Sequence, residues 1–333
     1  MSAVSSFKFQ KQWTFLYAIG AICFGTLLVG AGAHSAEAAS ARITVSTATE
    51  LTQVLSSATA GQTIALKDGT YRGEFVLANS GTSGSPIVLT GSRSAILTTG
   101  SQDSGYGLNV TGDYVTLKGF SVNDSGKGIV LDGSNKSKIV GVAVGMIGSE
   151  GIHVRTSSRD VVVSDSVVHN TGLQEAGSGE GIYIGSSVNN WHAIMGSPSE
   201  PDASDRVLVQ NNTLRDTTAE GIDIKEGTTG GRILNNHFDN VGFSGENNAD
   251  SWIDVKGNNY VVAGNTGNNA STDAIQVHDV LTGWGRDNIF SDTTITGDVP
   301  GYEINFAVPA SNNNVVTCKN TDARSGLSNH FCE

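Results

Sequence analysis

The stretch GEGIYIG, residues 179–185, returns forty residues later as AEGIDIKEG, residues 219–227. Both keep Gly-Ile-x-Ile and change only the residue between the isoleucines and those around them. The same four-residue frame fits GLNV at 107–110, GIVL at 128–131, GIHV at 151–154, WIDV at 252–255 and AIQV at 274–277. Successive frames are 21, 23, 30, 40, 31 and 22 residues apart. After each comes a second apolar run, such as KIVGVAV, DVVVSDSVV or RILNNHF, with Gly, Asn, Asp or Ser at the corners. That pattern reads as two or three short strands per repeat. A unit of about 22 residues is too short for a propeller blade, and it lacks the Leu and Asn consensus of a leucine-rich horseshoe. The expectation is an all-β, single-stranded right-handed parallel β-helix, each coil stacking on the last at about 4.8 Å.

In such a stack Ile152, Ile182, Ile222, Ile253 and Ile275 pack inside, and the residue between the isoleucines points out. The middle column reads Asn109, Val130, His153, Tyr183, Asp223, Asp254, Gln276. The column two residues on reads Thr111, Asp132, Arg155, Gly185, Lys225, Lys256, His278. Ahead of the frames stand Lys127, Glu150, Glu180, Glu220, Ser251 and Asp273. Aromatic, acidic and basic residues thus concentrate between 150 and 280. The reading is a flat, exposed polar strip along the helix axis, suited to an extended polymer whose sugar units each touch one or two coils. Gly185, between Arg155 and Lys225, is expected to leave a hollow beside Tyr183. Trp191, Trp252 and Trp284 are candidates to stack on sugar rings, each with core packing as its alternative.

The ends of the solenoid need lids. Thr47-Ala-Thr-Glu50 is a capping box, and Leu51, Val54 and Leu55 make a short amphipathic helix able to cover the N-terminal coil. Asn212, Asn236 and Asn265 recur at one corner and read as a structural ladder. One coil carries a large insertion, NNWHAIMGSPSEPDAS at 189–204, with two of the five prolines. Long loops on rigid scaffolds tend to carry function, so this one is expected to wall the strip near Tyr183, with Trp191 or His192 facing substrate.

Lys8 and Lys11 precede an apolar run from Thr14 to Ala33, and AEAA at 36–39 offers a cleavage site after Ala38. Residues 1–38 are read as a signal peptide and 39–333 as one β-helix domain of a secreted protein; the alternative is an uncleaved anchor. Without Lys8, Lys11 and Glu37, the 20 basic and 32 acidic side chains become 18 and 31, a net charge of −13. No basic field is left for nucleic acid or an anionic membrane, and a monomer is expected. Cys318 and Cys332 are read as a disulfide that closes the C-terminal end.

The strip suits β-elimination on a uronic acid polymer. A base removes the C5 proton, a cation neutralises the C6 carboxylate, and an acid protonates the departing O4. Lys225, beside Lys256, is a candidate base with a lowered pKa, and Glu220, Asp223 and Glu226 act against that lowering. A hydrolase would use two of Glu180, Glu220, Asp223 and Asp254; calcium is possible, although no fixed loop spacing supports a dedicated metal site.

DGTYRGEFVLANSGTSGSPIVLTG, 68–91, resembles the first coils of secreted β-helix polysaccharide lyases. GEGIYIG, EGIDIKEGTTGG and DSWIDVKGN resemble the central coils of the alginate-lyase type, over roughly 45–300. The resemblance implies a pectate-lyase-like solenoid and a catalytic Tyr and Lys on neighbouring coils, mapping to Tyr183 and Lys225. Lys225 is then assigned as base and Tyr183 as acid, with exchange or merging of the roles left open. Arg155, Lys256 and His278 are expected to bind carboxylates, with His153, Asp223, Asp254, Gln276, Glu180 and Glu220 also touching substrate. Pectate lyases, hydrolases, epimerases and non-catalytic adhesins share the frame, so an epimerase, a hydrolase and a carbohydrate-binding solenoid stay as alternatives.

Overall fold

The computed structural model describes residues 42–333; the apolar N-terminal segment and the expected cleavage after Ala38 lie outside it. The described chain winds right-handed through three parallel sheets of 11, 10 and 9 strands. All seven Gly-Ile-x-Ile frames fall in the ten-stranded sheet, in chain order. Phe75–Leu77 precedes them, and Tyr302–Ala307 and Gly326–Ser328 follow.

The register is the one the repeats require. Ile152 pairs with Ile182, Ile182 with Ile222, Ile222 with Ile253 and Ile253 with Ile275. All five are fully buried in one continuous core, where like residues stacked at strand spacing exclude water along the whole axis.

The corners explain the Asn and Asp content. Asp165, Asn211 and Asn235 have φ of 54°, 57° and 54°, a left-handed conformation that short polar side chains tolerate better than branched ones. Each precedes a buried polar residue, Ser166, Asn212 or Asn236, that leads into the next strand. Asn212, Asn236 and Asn265 form the expected ladder: Asn212 Nδ2 donates to Asn236 Oδ1 at 3.0 Å and Asn236 Nδ2 to Asn265 Oδ1 at 3.1 Å. Their side-chain oxygens also accept the backbone N–H of the preceding coil.

Thr47 caps the helix Ala48–Ser56 through a complete capping box, and buried Leu51 and Leu55 face the strands Gly69–Arg72 and Phe75–Leu77. At the other end Cys318 and Cys332 form a disulfide, with Glu333 N–H donating to Val316 O. Among the described residues no helix is long and apolar enough to cross a membrane.

Asn236→Ala should orphan Asn212 N–H and Val209 C=O inside the solenoid. The expected loss is about 1–3 kcal/mol for each unpaired group, read by urea unfolding. A change below about 0.5 kcal/mol would show that the ladder is not a structural element.

Candidate active site

The ten-stranded sheet brings the middle column together in register: His153 pairs with Tyr183, Tyr183 with Asp223, Asp223 with Asp254 and Asp254 with Gln276. These side chains alternate with the core isoleucines and take no part in the apolar cluster, so their direction is as expected. Their exposure is not. Tyr183 is 8% exposed and Asp223 2%, and His153, Asp254 and Gln276 are buried as well. The strip is the floor of a walled groove. One wall is the insertion after Ile182–Ile184; the other is a pair of turns around Ala176–Ser178 and Glu246–Asn248, tied by Asn247 Nδ2 donating to Gly177 O at 2.7 Å.

Two cavities meet at Tyr183. One, of about 440 Å³, is lined by Glu180, Tyr183, Glu220, Asp223 and Lys225 below and by Asn189, Asn190, Asn247 and Asn248 at its walls. The second, of about 280 Å³, adds Lys127, Glu150, His153 and Arg155 and is roofed by Ala193 and Ile194. Glu180 stands three residues before Tyr183, an odd separation for one strand face. It reaches the same groove because the strand begins only at Ile182.

The basic residues are already engaged. Arg155 makes a double contact with Asp132, at 2.6 and 3.1 Å, and donates to Tyr106 Oη at 3.3 Å. Lys225 Nζ lies 2.5 Å from Asp223 Oδ2, and Lys256 bridges Asp223 Oδ1 at 3.0 Å and Asp254. His278 Nε2 is 2.9 Å from Gln276 Oε1, and Gln276 Nε2 donates to Asp250, Asp273 and Thr272. The expected free cations at 155, 256 and 278 are therefore each paired in the described structure. Burial works against the charge on Lys225, but Asp223, with Glu180 and Asp254 behind it, outweighs burial and holds the ammonium above its ordinary value. The lowered pKa considered for Lys225 is thus corrected. Lys256 is raised in the same way, against burial, by Asp223 and Asp254.

Burial pushes His153 down to about 4, with Arg155 and Lys127 assisting and Glu150 opposing. Its Nε2 donates to Gly185 O at 2.9 Å, and its ring lies 4.3 Å from that of Tyr183. Burial, then Asp223 and Glu180, raise the Tyr183 phenol well above its ordinary value. Among the described residues the Tyr183 hydroxyl has no hydrogen-bond partner, and Lys225 Nζ lies 5.1 Å from the ring centroid. Burial, Asp223 and Glu150 push Glu180 up to about 8, and burial with Asp223 and Asp254 raises Glu220 well above the carboxylate range.

Glu180, Glu220 and Asp223 each bring a carboxyl oxygen within 4.8 Å of the others, close enough to share a cation. The donor set does not suit calcium. Both oxygens of Asp223 are taken by ammonium groups. The ion pairs Lys127–Glu150, Lys225–Asp223 and Lys256–Asp254 balance one another and leave Glu180 and Glu220 outside them.

Other expectations need correction. Gly185 leaves no hollow: its φ is 78°, it ends the strand, and a Cβ there would come within 2.5 Å of the Thr228 methyl. Trp191 does not face the groove; it is buried and donates from Nε1 to Ser186 O at 2.8 Å, anchoring the insertion. His192 turns to Asn189 O outside the cavities. Trp252 is fully buried, stacked on Phe238, and Trp284 lines neither cavity. Two anchors escaped the sequence reading. Buried Asp202 accepts Thr156 N–H, Ser157 N–H and Ser186 Oγ–H, and Glu226 Oε1 accepts Val188 N–H at 2.6 Å. The sequence signal for Asp202 was weak, one of two acids among the serines and prolines of SPSEPDAS, 197–204.

Residues 77–194 match the model of the right-handed β-helix region. The chain is similar to an alginate lyase from Paenibacillus sp. str. FPU-7, at 35% identity and a TM-score of 0.79 over 86% of this chain and 97% of that one. It therefore belongs to the family of right-handed parallel β-helix proteins that includes this lyase. A pectate lyase (14% identity, TM-score 0.55, covering 84% of this chain and 72% of that one) and a surface adhesin of Streptococcus pneumoniae (13%, 0.53, covering 82% and 74%) share the fold. No curated protein sequence matches.

The Glu180 shift has a consequence for stability. Between its ordinary 4.5 and about 8, the unfolded chain releases a proton that the folded chain keeps, so this group's contribution to stability falls as pH rises. Glu180→Gln has no such proton. It should gain stability relative to wild type, by on the order of a few kcal/mol, when urea unfolding is compared at pH 5 and pH 8. An identical difference at both pH values would mean that Glu180 titrates normally.

Proposed function

We propose that the chain is a polysaccharide lyase that cleaves a poly-uronate by β-elimination, with alginate as the first substrate. The observation that carries this reading is the meeting of Tyr183 and Lys225 on the cavity floor, a partner-free phenol beside a buried ammonium. The likeness to an alginate lyase supports the polymer. Export is part of the same proposal, and the Cys318–Cys332 disulfide accords with it.

Elimination moves one proton from C5 to O4, and a Tyr–Lys pair does this when it is one proton short of full. The proton that remains can sit on either group: Tyr–OH with a neutral amine, or tyrosinate with an ammonium. Asp223, 2.5 Å from Lys225 Nζ, keeps the proton on the amine and so favours the second distribution, against burial and its own charge, which oppose the tyrosinate. Tyr183 then takes the C5 proton, the C4–O4 bond breaks with its electron pair leaving on O4, and Lys225 protonates that oxygen. The roles are exchanged relative to the first assignment, and the reason is the ion pair. The wall asparagines Asn189, Asn190, Asn247 and Asn248 offer hydrogen bonds to sugar hydroxyls.

A glycoside hydrolase is the second reading, because Glu180 and Glu220 are raised carboxyls beside Asp223. It needs a carboxylate free to attack or to activate water. Asp223, with an ammonium on each oxygen, is not free. An epimerase would return the proton to C5 without cutting, and a binding solenoid would leave the polymer intact.

Purified protein incubated with alginate, pectate and glucuronan should release unsaturated ends that absorb in the ultraviolet from at least one polymer. Tyr183→Phe and Lys225→Ala should each lower kcat/KM by about 10²–10⁴, and the double variant should lose far less than the product of the two. Tyr183→Phe should leave stability unchanged, since the hydroxyl has no protein partner. Lys225→Ala should cost roughly 1–3 kcal/mol, because it strips one ammonium from buried Asp223. New reducing ends without unsaturation would replace the lyase by a hydrolase.

A further inference from the structure

We infer that Glu180 and Glu220 hold the carboxylate of the bound uronate as carboxylic acids, each donating an O–H hydrogen bond to it. This rests on the poly-uronate reading and names the groups that recognise the acid. Three observations carry it. First, the cations expected to meet a carboxylate at 155, 256 and 278 already have partners. Second, Glu180 and Glu220 make no side-chain hydrogen bond to another of the described residues. Glu180 is 7% exposed, its Oε2 is sealed from water without a partner, and both residues line the cavity that holds Tyr183 and Lys225. A buried carboxyl left without a partner is costly unless a ligand completes it. Third, the surrounding charges close without these two: Glu150, Asp223 and Asp254 offset Lys127, Lys225 and Lys256.

Ionising either residue would add an uncompensated negative charge to a buried, balanced cluster. The charges that act on Glu180 are Asp223 and Lys225 on the coil after and Glu150 on the coil before, with the Glu220 carboxyl within 4.8 Å. Those that act on Glu220 are Asp223, Asp254, Lys256 and Glu180. Neutrality is therefore the state the site imposes, in keeping with the upward shifts of both carboxyls. A neutral O–H is a donor that places no extra charge beside Asp223. Its hydrogen bond strengthens as negative charge builds on the substrate carboxyl oxygens when C5 loses its proton. A bound uronate, unlike a neutral hexose, completes both orphaned groups, which makes the pair a selector for acidic sugars.

The test uses Tyr183→Phe protein, which binds without turnover, with calorimetry against a mannuronate tetramer and the corresponding neutral mannose tetramer. The acid should bind at least tenfold tighter than the neutral sugar. Its affinity should weaken by about tenfold per pH unit above about 8, where Glu180 loses its proton. Adding Glu180→Leu or Glu220→Leu should erase the preference for the acid. Adding Glu180→Gln, which keeps a weaker N–H donor, should cost roughly tenfold and flatten the alkaline fall. Equal affinity for both sugars, or an acid preference that survives the Leu variants, overturns the inference. So does binding that a chelator abolishes and calcium restores, which would make the carboxyls cation ligands. Failure of the lyase reading shows separately, as wild-type protein that cuts alginate, pectate or glucuronan without forming unsaturated ends.

Discussion

In-register stacking is the constraint on which the structure depends. Parallel coils repeat at about 4.8 Å, so whatever occupies a position on one coil lies against the same position on the next. For isoleucine this builds a core. For ionisable residues it packs Tyr183, Asp223 and Asp254 down one column and draws Glu180 and Glu220 toward each other ahead of the same strands. Such neighbours cannot all be charged. The chain answers by placing Lys225 and Lys256 two residues further on, each folded back onto Asp223, and by keeping two acids neutral through burial.

The consequence for chemistry is that pairing is nearly complete before substrate arrives. Arg155 is held by Asp132, Lys256 by Asp223 and Asp254, and His153 is buried neutral against Tyr183. Among the described residues that line the groove, the Tyr183 hydroxyl, the carboxyls of Glu180 and Glu220 and Nδ1 of His153 stay without a hydrogen-bond partner. Preorganisation of this kind lets a small number of groups respond to charge that develops on a substrate. Asp202 and Glu226 keep the cavity wall in place by gripping backbone N–H groups of the preceding coil and of the insertion.

The fold was legible because its signal repeats. Seven Gly-Ile-x-Ile frames, the corner Asn ladder and the Thr47 capping box each specify local geometry, and all agree. The groove was legible only in direction. The frames tell which side chains leave the core, but the walls that bury Tyr183 and Asp223 come from turns without period. Gly177 and Asn247, which join two of them, are 70 residues apart. Gly185 was misread for a related reason: the sequence continues the column past Ile184, whereas the strand stops there and the glycine turns with φ 78°. The state of Lys225 depended on whether Asp223 would face it or water, which spacing alone leaves open.

Elimination and hydrolysis differ by one molecule of water, and that difference can be weighed. Poly-mannuronate cut in water enriched in ¹⁸O, with the fragments read by mass spectrometry, tests the central claim at the bond itself. If Tyr183 and Lys225 carry out β-elimination, the fragment pairs sum to the mass of the parent chain, with no molecule of water added at the cut. Fragments heavier by one ¹⁸O-labelled water per cut would contradict the account and assign the chemistry to the carboxyls.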